Sequence, residues 1–404
     1  MKGIATMVSL LLVGVFVQGQ QLQSYIQQAQ DNNPDIRAYE LRHEIAEEKV
    51  NEANWLPNTE FGAAIFASEP ETRTGPQEAK FSATQMLPWF GTVSARENYA
   101  RATADTEYLE YRIAKRKLAL NVAQSYYALY TLKAKQNVLA DNIDLLDTYE
   151  RLALTAVEVN NASAVDVLRL QIRQNEMKQQ KAVLQEQYLA EQANFNGLLN
   201  QDWRSFIEVL PQIDIPISDP VITDSLQLNP ELTRFDKLYE SVARAELLNR
   251  KESAPMLGFG LDYVPVQERS DMMPDDNGKD ILMPMVSISI PIFNNQYKSR
   301  TKQNELRQSE IESQKQERLN VLRSALAKAK SERNAARIEF NTREQNIQQA
   351  KNAEEILLKN YETGTIDFDD VLDLQELQLK FQLEQVESIK KYYVESAVIN
   401  YLTN

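Results

Sequence analysis

Few residues in this sequence are spaced to do chemistry, and the best placed are carboxylates. Asp370 and Asp373 stand three apart, so a helix through them carries both on one face. Such a pair holds cations if further copies come near, or it simply suits the positive end of a helix. A second set is soft: Met272, Met273, Met283 and Met285 fall close together, and thioethers bind Cu(I) or Ag(I). The same four side chains equally suit a loop and a lipid-facing wall. His43 is the one histidine, lies on a polar stretch without a partner at useful spacing, and is expected to be solvated. There is no cysteine, which excludes disulfides, thiolate zinc, iron–sulfur clusters and Cys–His nucleophiles. No acid–base pair in a pocket and no phosphate-binding glycine loop can be found. The reading is of a protein that is not an enzyme and has no cofactor and no resident metal.

Bulk properties narrow the class further. The 404 residues carry a net charge of -14, against general nucleic-acid binding. Mean hydropathy is -0.47, which excludes a bundle of apolar membrane helices. Residues 1–19 read as a secretory signal peptide. Lys2 supplies the charge, 7–17 the apolar core, and Val17-Gln18-Gly19 the small residues before cleavage. A membrane anchor is the alternative, although the run falls short of the ~20 residues a span needs.

The elements that must position these residues are set out by the helix breakers. Residues 92–196 contain neither Gly nor Pro, and 292–404 contain no Pro and only Gly364. Proline costs about 3 kcal/mol and glycine about 1 inside a helix, so both tracts are free to be helical. Within them apolar residues recur every ~3.5 residues, the seam of a coiled coil. Leu118, Val122, Leu129, Leu132, Leu139, Ile143 and Leu146 mark the first tract. Leu319, Leu322, Leu326, Ala329, Ala336, Phe340, Ile347, Ala350 and Leu357 mark the second, continued by Leu372, Leu379, Val386, Ile389 and Tyr393. Each tract breaks once, at 157–163 and at 361–367. Asn160 and Gly364 are suited to end a helix in the left-handed conformation, and Ser163 and Asp367 to cap the next.

The two breaks correspond to one another, and so do other stretches. Asn33-Pro34 matches Asn229-Pro230, 87–90 matches 290–293, and 165–171 matches 369–375. This is an internal duplication. The first repeat is 20–200, with a strand hairpin at about 58–88 and a helical hairpin at about 92–199. The second is 220–404, with a strand hairpin at about 256–291 and a helical hairpin at about 294–402. Residues 201–219 form an extended equatorial linker. In each candidate strand one face is apolar and the other small or polar, as in Leu257, Phe259, Leu261 and Tyr263 against Gly258, Gly260 and Asp262. That is the pattern of a membrane barrel wall, with runs of about ten residues, and equally of a soluble sheet with one wet face. Four strands cannot close, because the smallest membrane barrels have eight, so several chains are needed.

Signal peptide, duplication, two strand hairpins and two long helical hairpins together resemble the TolC-like outer-membrane efflux protein family. The closest local match is Tyr361-x-x-Gly364 followed by Asp370-Val371-Leu372-Asp373. The resemblance implies a mainly α fold with a membrane β-barrel. Long coiled-coil hairpins would form a periplasmic tunnel, and four strands per chain would build a trimeric twelve-stranded barrel. It implies an exit duct in the cell outer membrane, fed by a periplasmic adaptor and an inner-membrane pump of RND or ABC type, for heavy-metal cations or drugs. Outer-membrane lipid would surround the barrel. Type I protein secretion is the alternative, and a periplasmic coiled-coil rod the alternative outside this class. The resemblance makes Asp370 and Asp373 the periplasmic gate. It makes Asn160, Asn161, Ser163, Gly364, Thr365 and Asp367 the adaptor-docking rim.

Overall fold

The computed structural model describes residues 20–158, 163–219, 226–271, 274–363, 365–366 and 368–403. Residues 1–19, read above as a signal peptide, and Asn160, Asn161, Gly364, Asp367, Met272 and Met273 lie outside the described residues. The chain is mostly helical with a few strands.

The helices fall where the breakers allow. α1 covers 20–32 and α2 Pro34–Glu52. α3 runs Thr92–Glu158 and α4 Ala164–Leu198; α5 is Pro230–Glu252, α6 Gln296–Glu362 and α7 Phe368–Thr403. α3 and α6 each have 67 residues, and α4 and α7 have 35 and 36, so corresponding helices of the two halves are nearly equal in length. At ~1.5 Å per residue each of the two longest helices extends for roughly 100 Å. None of the described helices is long and apolar enough to cross a membrane.

Two compact units result, and each draws on both halves of the chain. One takes Met1–Ala38, Arg112–Asn229 and Arg318–Asn404; the other takes Tyr39–Tyr111 and Pro230–Glu317. In the first, the heptad seams are the core. Val122, Leu129, Leu139, Leu146, Leu170 and Val371 are fully buried, with Phe368 and Tyr361 closing the cluster. The second tract of the seam is made of smaller side chains, with Ala329, Ala336 and Ala350 buried. A polar pin fixes the register of α3 against α7. Gln375, fully buried, donates to Asn142 Oδ1 at 2.9 Å, and Asn142 donates to Gln382 at 2.8 Å.

The other unit holds an antiparallel sheet in the order β1-β4-β5-β6, formed by Thr59–Ile65, Ala79–Leu87, Met256–Val264 and Ile281–Ser289. The strands have seven or nine residues, slightly shorter than the ten expected. The loop after β1 also forms a small pair that the sequence did not announce, β2 (Glu71–Thr72) with β3 (Gly75–Pro76). Gly75 makes it possible: its φ of 130° is closed to other residues, and an added Cβ would stand 1.8 Å from the Gln267 carbonyl oxygen. His43 corrects an expectation. It is not solvated but half-buried, packed on Tyr108 with ring centres 5.3 Å apart and 3.4 Å from Glu47.

Candidate functional site

Two regions could act on a passing solute: the ends of the helical hairpins and the wall of the sheet. At the hairpin ends, Ser163 is the N-cap of α4 in extended backbone (φ -89°, ψ 141°). Its Oγ accepts from Val165 N at 3.1 Å, and Asp166 Oδ2 accepts from Ser163 N at 3.3 Å, a reciprocal capping box. Thr365 closes the matching end of α6: its N–H and its hydroxyl both donate to the Asn360 carbonyl, at 3.0 and 2.8 Å. Thr363, which sequence reasoning passed over, donates to the same carbonyl and meets Thr365 at 2.7 Å. One orphan carbonyl of α6, that of Asn360, is thus satisfied by two threonines.

Asp370 and Asp373 both stand exposed near the start of α7. Among the described residues neither makes an ion pair. The base in this neighbourhood, Arg169, pairs instead with Asp369, a residue the sequence did not single out. One turn on, Arg173 Nη2 lies 3.0 Å from Glu376. A ladder of two pairs therefore ties α4 to α7 and leaves the Asp370–Asp373 face open. Beneath it Phe368 is fully buried, edge-on to Tyr361 at 4.8 Å and to Tyr149 at 5.9 Å. The Tyr149 hydroxyl donates to Glu354. Burial, then the nearby Glu354 carboxylate, raises the Tyr149 phenol well above its ordinary range. Burial and the charge of Asp166 raise Tyr361.

The equatorial segment, unreadable in sequence, proves to be a strap held by tyrosines. Tyr25 donates to the Glu208 carbonyl at 3.3 Å, and the Tyr130 hydroxyl accepts from Ile213 N at 3.1 Å. Tyr393 donates to the Asp214 carbonyl at 2.6 Å. The strap ends at Asp219, which accepts from Tyr392 at 2.6 Å and pairs with Arg337 and, at 3.2 Å, with the buried Arg333. Burial pushes the Asp219 carboxyl up. The hydrogen bonds from Tyr392 and Arg337 and the two guanidinium charges outweigh that and hold it below its ordinary value. Tyr392 is pushed up to about 12, by burial and then by Asp219. The only advance signal was the tyrosine content of α3 and α7; apart from the Asp219 carboxylate, their partners are backbone carbonyls and amides, which leave no trace in a sequence.

In the sheet, register decides which residues share a face. Phe81 pairs with Tyr263, Ala83 with Leu261 and Phe259 with Val286, so one face is Phe61, Ala63 and Ile65 continued by these residues. Phe61 and Ile65 keep 82% and 86% of their surface exposed. The other face collects Glu60, Gly62, Lys80, Ser82, Thr84, Gly258, Gly260, Asp262, Ser287 and Ser289. All the charges of the four strands lie on it. Met283 and Met285 lie there too, opposite Asp262 and Gly260, so neither belongs to the apolar wall. Among the described residues no cluster of His, Asp or Glu is arranged to hold a metal. Both sheet edges, β1 and β6, are left without a neighbour in the single chain.

Comparison with known proteins agrees with this geometry. Residues 25–201 match the family model described as outer membrane efflux protein. No curated protein matches the chain. Among solved structures the fold is similar to CusC, described with transmembrane channel formation, at 15% identity, covering 95% of this chain and 92% of that one, with a TM-score of 0.76. It is similar to the outer membrane protein VceC of Vibrio cholerae at 18% identity, 95% and 96% coverage and a TM-score of 0.74. It also matches the CmeC outer membrane channel of Campylobacter jejuni at 15% identity, 95% and 85% coverage and a TM-score of 0.73.

Proposed function

We propose, from a chain whose residues 25–201 match the outer membrane efflux protein model and which takes the fold of such channels over nearly its whole length, that it is the exit duct of a tripartite efflux system. It is an outer-membrane channel protein and not an enzyme. The observation that carries the finer reading is the sheet with two open edges and an exposed apolar face. Unpaired strand edges are tolerated in a bilayer only when a barrel closes. Three chains of four strands make twelve, with the apolar face toward lipid and the helical hairpins continuing the duct in the periplasm. The two repeats, 20–200 and 220–404, supply one strand hairpin and one helical hairpin each.

In this reading Asp370 and Asp373 form the gate, six carboxylates in the trimer. At ~6 Å and an effective dielectric of ~20 a like-charge pair costs roughly 3 kcal/mol, so the closed mouth holds cations and dilates readily. The rim of Asn160, Asn161, Ser163, Gly364, Thr365 and Asp367 meets the adaptor, and an inner-membrane pump of RND or ABC type delivers drugs or heavy-metal cations. The capped turns at Ser163 and Thr365 support a rigid rim. Native mass measurement of the detergent-extracted protein should give three copies, and deletion of the gene should sensitise cells to the pump's substrates. A stable monomer, or recovery in the soluble periplasm, overturns the duct.

A further inference from the structure

The polar face of the sheet holds one feature that neither the gate nor the rim uses. Asp262, two residues before the end of β5, keeps none of its surface, and neither carboxylate oxygen has a hydrogen-bond partner. Its compensation is a single contact, Lys80 Nζ on β4 at 2.5 Å from Oδ2. The direct cross-strand neighbours are Ser82 and Met283. Neither supplies a bond to the carboxylate. Lys80 by contrast keeps 39% of its side chain exposed. A buried acid thus stands behind a half-exposed base, on the face that carries every charge of the four strands.

We infer that Lys80 and Asp262, by neutralising one another, keep the barrel lumen at this height free of charge selectivity. The inference rests on the duct reading, which makes this face the lumen and triples the pair. Rings of charged side chains select ions by sign. Three bare ammonium groups would favour anions and three bare carboxylates cations. Held at 2.5 Å the charges cancel, and the wall at this height passes solutes of either sign. Discrimination is then left to the carboxylate mouth. Lys80 is the specificity-determining residue and Asp262 the positioning residue that neutralises it.

The experiment reads reversal potentials of single trimers in planar bilayers under an asymmetric KCl gradient. Lys80→Gln should raise the cation-to-anion permeability ratio several-fold, and Asp262→Asn should lower it several-fold. Lys80→Gln combined with Asp262→Asn should return it to the parent value, and Lys80→Arg should leave it there. Identical ratios in the parent and both single variants overturn the inference.

Stranding one buried charge destabilises proteins strongly, whereas removing a pair together is far milder. If the single variants do not assemble, Lys80→Cys with Asp262→Asn tests the same claim in a chain that has no other cysteine. Cationic and anionic thiol reagents should shift the ratio of that variant in opposite directions. No shift with a demonstrably modified thiol also overturns it. Absence of any conductance in the parent protein instead refutes the duct.

Discussion

In the sheet unit Phe61 and Ile65 keep most of their surface while Asp262 keeps none; at the hairpin ends Phe368 and Leu170 keep none while Asp370 and Asp373 stand open. The two regions have inverted polarity within one chain. Burial is a statement about the surrounding solvent, and apolar surface left exposed in water is unfavourable by ~25 cal/mol per Å². The hairpin ends obey that rule with a sealed aromatic cluster. The sheet disregards it, and a wall with all its charges on one face and none on the other fits lipid against one side. In the proposed duct, the inversion marks the face that meets lipid.

If the comparison is right, substitutions should fail in opposite directions in the two regions. The largest effect is expected at Phe368. Phe368→Ala empties the cluster under the rim and should cost about 4 kcal/mol, read as lost hydrogen-exchange protection at the adjoining ends of α4 and α7. Asp219→Asn leaves the buried Arg333 guanidinium uncompensated and should cost about 3 kcal/mol in denaturant unfolding. The same carboxyl predicts an acid limit. Its folded-state value lies below the ordinary 3.8, so its contribution is whole above that pH and is lost as pH falls through the lower folded value. Removing the acid should flatten that part of the stability–pH curve.

Leu261→Arg sharpens the other side of the comparison. Leu261 lies on the exposed apolar face, where a substitution in a water-soluble sheet would be harmless. At the midplane of a bilayer it should cost about 2–4 kcal/mol, read by unfolding from lipid vesicles. An unchanged midpoint would make that face wet. Ser163→Ala removes half of the capping box and should cost about 1 kcal/mol, seen as fraying of α4. The smallest effect on the fold is expected from Asp370→Asn with Asp373→Asn, about 0.3–1 kcal/mol of helix-dipole energy. Its readout is functional: weaker divalent-cation block and lower cation selectivity in planar bilayers. Unchanged block in an intact trimer would leave both acids as mere N-terminal charges.

The helices were legible because their causes are local. Breakers bound them, and the 3.5 period of Leu118 through Leu146 names the buried seam, since one face of a helix recurs at fixed spacing whatever it packs against. The strands were legible for the same reason, through alternation. The duplication was legible as well, and with it the equal lengths of α3 and α6. Beyond that point residues far apart in the chain had to be brought together. Arg169 was free to meet any of three aspartates at the start of α7, and only the packing of α4 on α7 selects Asp369. The strap at 201–219 carries no pattern, because most of its partners are tyrosine hydroxyls from three helices acting on backbone groups, which are alike at every residue. Met283 and Met285 could have stood on either face until register paired Met283 with Asp262. A shift of one residue would have turned every side chain of β6 over. Alternation tells that a strand has two faces; hydrogen bonding to its neighbour decides which residues share each one, and so which charges meet.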